Sequence, residues 1–567
     1  MSIYMQSLIE WLSQDLKSIN YNFSKKSENS VDIFYKDHCI CELKQDILGN
    51  DETGIFFSVV AKKSKSKFDD LSYKILKEYW KENLENHKIY FPAIKDDYRN
   101  NQVIFVQQLE NIINILFEDI TVEYRINSVK FDNYRCFKDE TFSFDQQATV
   151  LIGKNSSGKT SILDAIAVSI SSFLSGINEK TDNKTITKDD VRFSAYELDG
   201  VRVIDHHPPT KLTFNTDFIN KRYQWSRARN SLVSTKLTTK DSNKVVDLVR
   251  YLTNEIRNNK DRKITLPVFS YHGTGRVANF TKNMNSLDKT KNLSRFMGYK
   301  DCLKPASNYK FFISWYGKMQ YKAFTLGKKI PVLEAVTSCL ELSLQMLTEG
   351  DNLKINRVLF WEDALHIEYE NGTIMPISLL SDGYQDYIGI ISDIAYRMSI
   401  LNPHLGEKTI SETPGVVLID EIDVHLHPKW QQKILPLLKK LFPKVQFIVT
   451  THSPIIVSTT TEGEAIELFI NEDSRIDTRK VGDPNRWYIS DILSSVFDLE
   501  NSPIKNNIST ADKIENYSEY VNEYLVNPTD ELYANIVELY SELEKDLKKN
   551  TPQYRAINSL MELIKNE

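Results

Sequence analysis

The sequence predicts an α/β fold in which a core sheet is covered by helices. Three stretches predict it. The apolar run Thr-Val-Leu-Ile at 149–152 stops at a glycine and leads through a polar loop into a helical pattern. A second apolar run, at 416–419, ends in two acids, and a third, at 447–449, ends in Thr-Thr-His-Ser. Short, wholly apolar runs bounded by turn residues are typical of buried strands, so all three are assigned to the core sheet.

Composition and length set the class of protein. The chain has 567 residues, which at about 150 residues per domain predicts three to four domains. Its 41% hydrophobic and 26% charged residues exclude collagen-like, low-complexity and wholly disordered chains. The five cysteines are scattered without a CxxC pair, so we expect a reduced, cytoplasmic protein without a zinc site. No signal-peptide pattern or membrane-spanning apolar run is visible, and no membrane partner is expected.

Residues 1–124 are predicted to form an N-terminal α+β accessory domain. Helical patterns occur near 5–19, 69–85 and 102–118, and strand patterns near 31–35 and 55–60. The lysine-rich stretch at 62–67 is predicted to be an exposed loop. No chemical motif occurs in this part of the chain. Strand signals begin at Tyr124 and continue through Phe131.

The loop after the first core strand matches the phosphate-binding pattern GxxxxGKT. Its glycines let backbone N–H groups turn towards phosphate oxygens, and the helix expected at 161–171 directs its positive end at the same anion. Lys159 is expected to reach the terminal phosphates, and the Thr160 hydroxyl is expected to bind Mg²⁺. The predicted nucleotide-binding residues are Gly153, Lys154, Asn155, Ser156, Ser157, Gly158, Lys159, Thr160 and Ser161.

The other two core strands end in candidate catalytic residues. Asp420 is placed to hold Mg²⁺, and Glu421 to act as the general base that polarises the attacking water. The alternative is a strand that simply ends in surface acids, which the phosphate loop disfavours. His452 is a candidate for contact with the terminal phosphate and the water, against the alternative of an ordinary core histidine.

These motifs together resemble the soluble ABC-class ATPases that include RecF, OLD and the SMC heads. The segment Val-Lys-Phe-Asp-Asn-Tyr-Arg-Cys-Phe at 129–137 and the helix start at 158–166 are similar to the first strand and first helix of that group. The resemblance implies an ABC-ATPase head that binds ATP with Mg²⁺ and hydrolyses it. It also implies that Arg135 approaches the nucleotide and that Asp423 occupies the D-loop.

The resemblance further implies a signature loop, and Leu-Ser-Asp-Gly-Tyr-Gln at 380–385 matches it. A helix expected at 384–397 would present its N-terminus to a phosphate. In this family that phosphate belongs to the nucleotide on a second subunit, so two heads sandwich two ATP molecules. The signature residues are Ser381, Asp382, Gly383, Tyr384 and Gln385.

Two assignments stay open. The family's Q-loop glutamine has two uncertain candidates, Gln224 and Asp190. A metal site formed by Glu421, His425 and His427 is an alternative to the ATPase role of the same segment, and His-x-Leu-His-Pro is typical of the soluble branch of the family.

Ser381 lies 221 positions after Thr160, and this interval includes a strongly basic segment. Residues 211–330 contain 25 Lys and Arg against 7 Asp and Glu, a net charge of +18, whereas the whole chain has −6. The remainder therefore has −24, and the near neutrality of the chain is a cancellation. Interleaved aromatic residues suit nucleic acid; docking on an acidic protein surface is the alternative. A strand at 266–271 is expected to return the chain to the head.

The C-terminal part is predicted to contain a strand near 465–470 followed by helices with net acidic charge. A nuclease domain of the OLD kind would need more chain, so no built-in nuclease is expected. This layout resembles the ATPase subunits of Septu-type antiphage systems, also found with retrons, whose partner is a separate HNH nuclease. The alternative is a RecF- or SMC-like DNA-binding ATPase in DNA repair or chromosome maintenance. A transporter ATPase is disfavoured by the long insertion.

The predicted domain organisation has five parts. They are the accessory domain 1–124, an ATPase head lobe 125–205 with the phosphate loop, a basic and mainly helical insertion 206–345, a second head lobe 346–470 and a helical C-terminal region 471–567. The expected assembly is a homodimer or higher homo-oligomer that binds a separate nuclease and possesses a nucleic-acid surface on 211–330.

Overall fold

The computed structural model describes five N-terminal strands and, with short gaps, residues 118–565. The gaps are at 180, 199–200, 220, 234–237, 239–241, 276–293, 306–308, 351–353, 472–474, 498–507 and 548–550. The chain divides into two compact units, Met1–Ile489 and Ser490–Glu567. The helices expected near 5–19, 69–85 and 102–118 and the loop at 62–67 fall outside the described residues, residue 118 excepted. The strands expected near 31–35 and 55–60 are confirmed.

The described strands and helices have the following bounds. The strands are β1 Tyr21–Ser27, β2 Ser30–Tyr35, β3 His38–Ile47, β4 Ile55–Val60, β5 Ile89–Phe91, β6 Ile120–Thr121, β7 Tyr124–Tyr134, β8 Phe137–Ser143, β9 Ala148–Gly153, β10 Phe193–Leu198, β11 Val201–His206, β12 Thr210–Phe218, β13 Lys221–Arg229, β14 Ile264–Thr265, β15 Val268–His272, β16 Ile355–Trp361, β17 Ala364–Tyr369, β18 Ile374–Pro376, β19 Gly415–Ile419, β20 Val445–Thr450, β21 Ala465–Ile470 and β22 Ile476–Lys480. The helices are α1 Lys159–Leu174, α2 Asn243–Asn258, α3 Tyr309–Leu326, α4 Pro331–Leu347, α5 Asp382–Leu401, α6 Thr409–Glu412, α7 Pro428–Leu441, α8 Pro454–Val457, α9 Ile489–Ser495, α10 Ile508–Val526, α11 Asp530–Asp546 and α12 Pro552–Lys565.

The core of the first unit is a six-stranded sheet in the order β15-β19-β20-β9-β21-β22. The first five strands are parallel, and β22 is an antiparallel edge. All residues of β15, β19 and β20 are buried, which explains their unbroken apolar sequences. Because β9, β20 and β19 are neighbours, the loops that follow them meet at one edge of the sheet.

A four-stranded antiparallel sheet, β13-β12-β7-β8, lies against this core. The side chain of Gln446, in β20, joins the two sheets. Its Oε1 accepts from the Ile126 N–H (2.9 Å), and its Nε2 donates to the carbonyls of Ile126 (2.9 Å) and Asp145 (2.7 Å). Smaller sheets are β16-β17-β18, the hairpin β10-β11, the pair β14-β6 and the N-terminal sheet β1-β2-β3-β4-β5.

The predicted insertion 206–345 contributes strands as well as helices. Strand β12 lies between β13 and β7 in the antiparallel sheet. The return strand expected at 266–271 is confirmed as β15, which pairs with β19 at the edge of the core sheet. The segment also supplies α2 and α3, so much of it is integral to the head. The predicted domain boundaries stay a prediction.

The second unit contains the helices α10, α11 and α12. They pack around a buried core that includes Tyr517, Val521, Ile536, Leu543 and Ile557. The Tyr517 hydroxyl donates to the Ile557 carbonyl (3.2 Å), which joins α10 to α12. Among the described residues, no helix is long and apolar enough to span a bilayer.

Candidate nucleotide-binding site

The phosphate loop joins β9 to α1. Lys154, Asn155 and Ser156 are exposed, and α1 begins at Lys159. Gly158, the N-cap, has φ 93°, and a Cβ at this position would lie 2.6 Å from Cζ of Phe137. Both the backbone conformation and the close packing therefore require glycine here.

Lys159 folds back over the loop that precedes it. Its Nζ donates to the carbonyls of Gly153 (2.7 Å) and Lys154 (3.1 Å). Burial lowers the pKa of this ammonium group, and nearby carboxylates act in the opposite direction. The buried Ser157 Oγ has no hydrogen-bond partner among the described residues. A buried cation and an unsatisfied hydroxyl in the same loop fit a phosphate oxygen as ligand.

Hydroxyl groups from two motifs hold the carboxylate of Asp420. Thr160 Oγ1 donates to Oδ2 (2.9 Å), and Thr450 Oγ1 donates to Oδ1 (2.6 Å). Thr450 Oγ1 also accepts from the Glu421 N–H (2.7 Å). Carboxylate and hydroxyl oxygens are suitable ligands for Mg²⁺, so Thr160 and Asp420 fit the metal expected from the sequence.

Glu421, Asp423 and His452 lie in the two turns that follow β19 and β20. Glu421 is half-buried and has φ 48°, a left-handed conformation that is rare for this residue type. Asp423 Oδ1 accepts from Thr451 Oγ1 (2.6 Å) and from the His452 N–H (3.4 Å). These hydrogen bonds join Asp423, the expected D-loop residue, to the turn that contains His452. Both lie close to Thr160 and Asp420, the expected Mg²⁺ ligands.

Arg135 lies in the turn between β7 and β8, next to the first turn of α1. Its Nη1 donates to Ser161 Oγ (3.3 Å), and its Nη2 pairs with Asp164 (2.8 Å). Its Nε donates to Asp190 (2.7 Å), one of the two Q-loop candidates. The other candidate, Gln224, is exposed on β13.

The signature residues are at the start of α5, with Ser381 as the N-cap. A Cβ on Gly383 would lie 2.5 Å from the His425 carbonyl oxygen, so glycine permits this close approach. The Tyr384 ring packs edge-on against Trp430, 4.3 Å between centroids. Gln385 Nε2 donates to the carbonyls of Leu380 (2.8 Å) and Ser378 (3.3 Å).

Ser381 and Asp382 are exposed. The contacts of Gly383 and Tyr384 given above are made to the 421–430 segment of the same chain, not to its phosphate loop.

The two histidines of the alternative metal site have different surroundings. His427 is the N-cap of α7, and its Nδ1 accepts from the Lys429 N–H (3.3 Å). His425 is exposed and has φ 63°. A capping role accounts for His427 without a metal ion.

Thr450 and Gln431 also belong to the site, although the sequence did not predict them. Thr450 is the link between Asp420 and the Glu421 backbone. Gln431 Oε1 accepts from Ser453 Oγ (2.6 Å), and its Nε2 donates to the Leu426 carbonyl (3.0 Å). The Thr-Thr pair before His452 was a usable signal for the first, whereas nothing in the sequence pattern marks Gln431 on its helix.

Comparisons with known protein families define the class of the protein. A family model described as "AAA domain" matches residues 128–314 and contains the phosphate loop and Arg135. A second, described as "AAA domain, putative AbiEii toxin, Type IV TA system", matches residues 243–458 and contains the signature loop, Asp420, Glu421 and His452. The chain is an ATPase.

Curated relatives narrow this assignment. The chain is 27% identical to "Retron Vc95 probable ATPase" of Vibrio cholerae serotype O1 biovar El Tor, over 65% of this chain and 76% of the relative. It is 24% identical to "Retron Ec83 probable ATPase" of Escherichia coli, over 59% and 70%. It is 33% identical to "Septu protein PtuA" of Bacillus thuringiensis, over 33% and 45%. These relatives place the chain among defence-associated ATPases.

Solved structures similar to the chain include an SMC head and a recombination mediator protein. One is an SMC head bound to the C-terminal winged-helix domain of ScpA, with a TM-score of 0.36, 14% identity and coverage of 63% of this chain and 98% of the other. Another is the recombination mediator protein RecF, with a TM-score of 0.32, 14% identity and coverage of 64% and 99%.

Proposed function

We propose that the chain is the ATP-binding and hydrolysing switch subunit of an antiphage defence complex. Two copies bind head to head around ATP, and the nucleotide state controls a separate partner nuclease of the HNH type. The observation that carries the proposal is the hydrogen-bonded series Thr160–Asp420–Thr450–Glu421, which joins three motifs distant in sequence. The names of the retron and Septu relatives support the defence role.

Within one head, the site residues divide the work between phosphate binding, metal binding and activation of water. The phosphate loop and Lys159 bind the phosphates, and Thr160 with Asp420 would hold Mg²⁺, which neutralises phosphate charge when it is bound. Glu421 takes a proton from the attacking water. His452 orients that water and the terminal phosphate, and the Asp423 carboxylate fixes its backbone.

A second head completes the site. Ser381 and Asp382 are exposed at the N-terminus of α5, a helix of 20 residues, where backbone N–H groups and the helix dipole favour an anion. This N-terminus contacts the terminal phosphate of the nucleotide on the second copy. Gly383 packs closely against the His425 carbonyl. The phosphate of the nucleotide on the second copy is therefore sensed by the turn that contains Glu421 and Asp423.

The test is Glu421→Gln, which keeps the size of the side chain and removes the base. ATP turnover should fall by about 100-fold or more, in keeping with general-base catalysis. ATP binding should persist, and ATP should increase the dimer fraction in light-scattering chromatography. Glu462→Gln, at an exposed position outside the site, is the matched control. Unchanged turnover and oligomer size would show that Glu421 does not have this role.

A RecF- or SMC-like ATPase in DNA repair is the second candidate, favoured by the +18 charge of residues 211–330. Gene neighbourhood separates the two. An adjacent HNH nuclease or reverse transcriptase gene supports the defence switch, and neighbouring replication and repair genes support the second candidate.

A further inference from the structure

Some cations of the basic segment 211–330 are used inside the fold, and others are exposed to solvent. Arg227, Arg229 and Arg262 are buried, and Arg295 donates to the Leu401 carbonyl (2.7 Å). Arg229 donates to the Leu232 carbonyl (3.0 Å) and Arg262 to the Glu118 carbonyl (2.7 Å), so these cations are used within the fold. The net charge of +18 therefore exceeds the charge that a ligand can contact. Only the exposed cations can bind a polyanion.

Four exposed lysines of the segment lie in the second half of α3 and in the loop that joins α3 to α4. We call this surface the hairpin tip; it consists of Lys318, Tyr321, Lys322, Phe324, Lys328 and Lys329. Within the described residues, Lys329 pairs with Glu334 (3.4 Å), whereas the other three lysines have no ion-pair partner.

The tip also exposes two aromatic rings. Tyr321 is 72% exposed and Phe324 86%. The opposite face of α3 is buried through Phe312, Trp315 and Tyr316, so packing does not account for the outer rings. Lys318, Tyr321 and Lys322 have the i, i+3, i+4 spacing that places them on one face of the helix.

Rings interleaved with cations match one class of ligand. Lysines neutralise backbone phosphates, and exposed rings stack on unpaired bases. In a duplex the base faces are already stacked on one another and cannot reach the rings. We propose that the hairpin tip binds single-stranded nucleic acid, with bases on Tyr321 and Phe324 and phosphates on the lysines. This inference rests on the proposed function, since it names the ligand that the switch senses.

The buried face of α3 connects the hairpin tip to α5, the helix that begins at the signature loop. Trp315 packs against Tyr396 of α5, 5.7 Å between ring centroids, and the Tyr316 hydroxyl is 2.6 Å from Thr337 Oγ1 in α4. These contacts join α3 to α5, the helix whose N-terminus presents Ser381.

The experiment measures fluorescence anisotropy of the full chain with labelled oligothymidine, oligouridine and a DNA duplex, each about 20 nucleotides long. The wild type should bind one or both single strands more tightly than the duplex. Tyr321→Ala should weaken that binding at least about 5-fold, and Tyr321→Phe should change it less than about 2-fold. The triple variant Lys318→Gln, Lys322→Gln, Lys328→Gln should reduce the slope of log affinity against log salt by about 2.

The matched control replaces three other exposed lysines, Lys440, Lys444 and Lys480, by glutamine. It makes the same change in net charge and should keep the wild-type affinity and salt slope. Basal ATP turnover and the melting temperature should be unchanged in both triple variants. The proposal is wrong if no single strand binds, if the duplex binds as tightly, or if the tip variants behave like the control. Such results would leave the Glu421→Gln test of the ATPase untouched, and the failure of that test would leave this binding assay valid.

Discussion

At the scale of single residues, one hydroxyl group holds the metal carboxylate and the backbone of the proposed general base. Thr450 is fully buried, donates to Asp420 and accepts from the Glu421 N–H. The left-handed backbone of Glu421 is thereby fixed on its N–H side. Sub-ångström placement of a general base matters for rate, so we regard Thr450 as a positioning residue.

Thr450→Ala should lower both stability and turnover. Loss of the hydroxyl leaves a buried N–H and a buried carboxylate oxygen without this partner, which should reduce the free energy of unfolding by about 1–3 kcal/mol. Thr450→Ser keeps the hydroxyl and should remain close to wild type in denaturant unfolding and in ATP turnover. Equal loss in the two variants would mean that the methyl group, not the hydrogen bonds, is what matters.

At the scale of elements, three core strands were predicted correctly from the sequence. β9, β19 and β20 are buried on both faces, so their apolar runs are continuous and easily recognised. Strands β12 and β13 were not anticipated, because exposed positions such as Lys211 and Arg222 interrupt their apolar pattern. The contact of Thr450 with Asp420 depends on the strand register that pairs Ile419 with Val449. The register of two parallel strands cannot be read from a single sequence.

The signature helix gives a test at this scale. Gly383→Ala would place a methyl group 2.5 Å from the His425 carbonyl oxygen, so the start of α5 must move away from the 421–425 turn. We expect ATP to bind a single head with near wild-type affinity in calorimetry, while ATP-dependent dimer formation and turnover fall.

The control for this substitution is Gly275→Ala, since a Cβ there meets no atom of the described residues within 4 Å. It should leave binding, dimer formation and turnover unchanged. Normal turnover in Gly383→Ala would contradict the coupling between the signature loop and the catalytic turn.

At the scale of the whole molecule, the proposed site lies entirely within the first unit, and the second unit has a core of its own. Ile536→Ala removes a fully buried side chain from that second core and should destabilise the C-terminal helices by about 2–5 kcal/mol. ATP turnover should be retained. Hydrogen exchange followed by mass spectrometry should show faster exchange in peptides from 508–565 alone.

Glu538→Ala, an exposed position on the same helix, is the control for the loss of side-chain volume. A loss of turnover in Ile536→Ala that the control does not show would mean that the ATPase depends on the C-terminal unit.

The strand order of the core sheet also determines when the site can form during synthesis. Strand β9 ends at residue 153, and its neighbours β20 and β21 begin at residues 445 and 465. At about 5–20 residues per second, a ribosome takes roughly 15–60 s to make the intervening chain. Throughout that interval β9 has neither partner strand, and its apolar residues and open edges are a hazard for aggregation. One edge of β9 stays unpaired until β20 emerges and is inserted between β9 and β19.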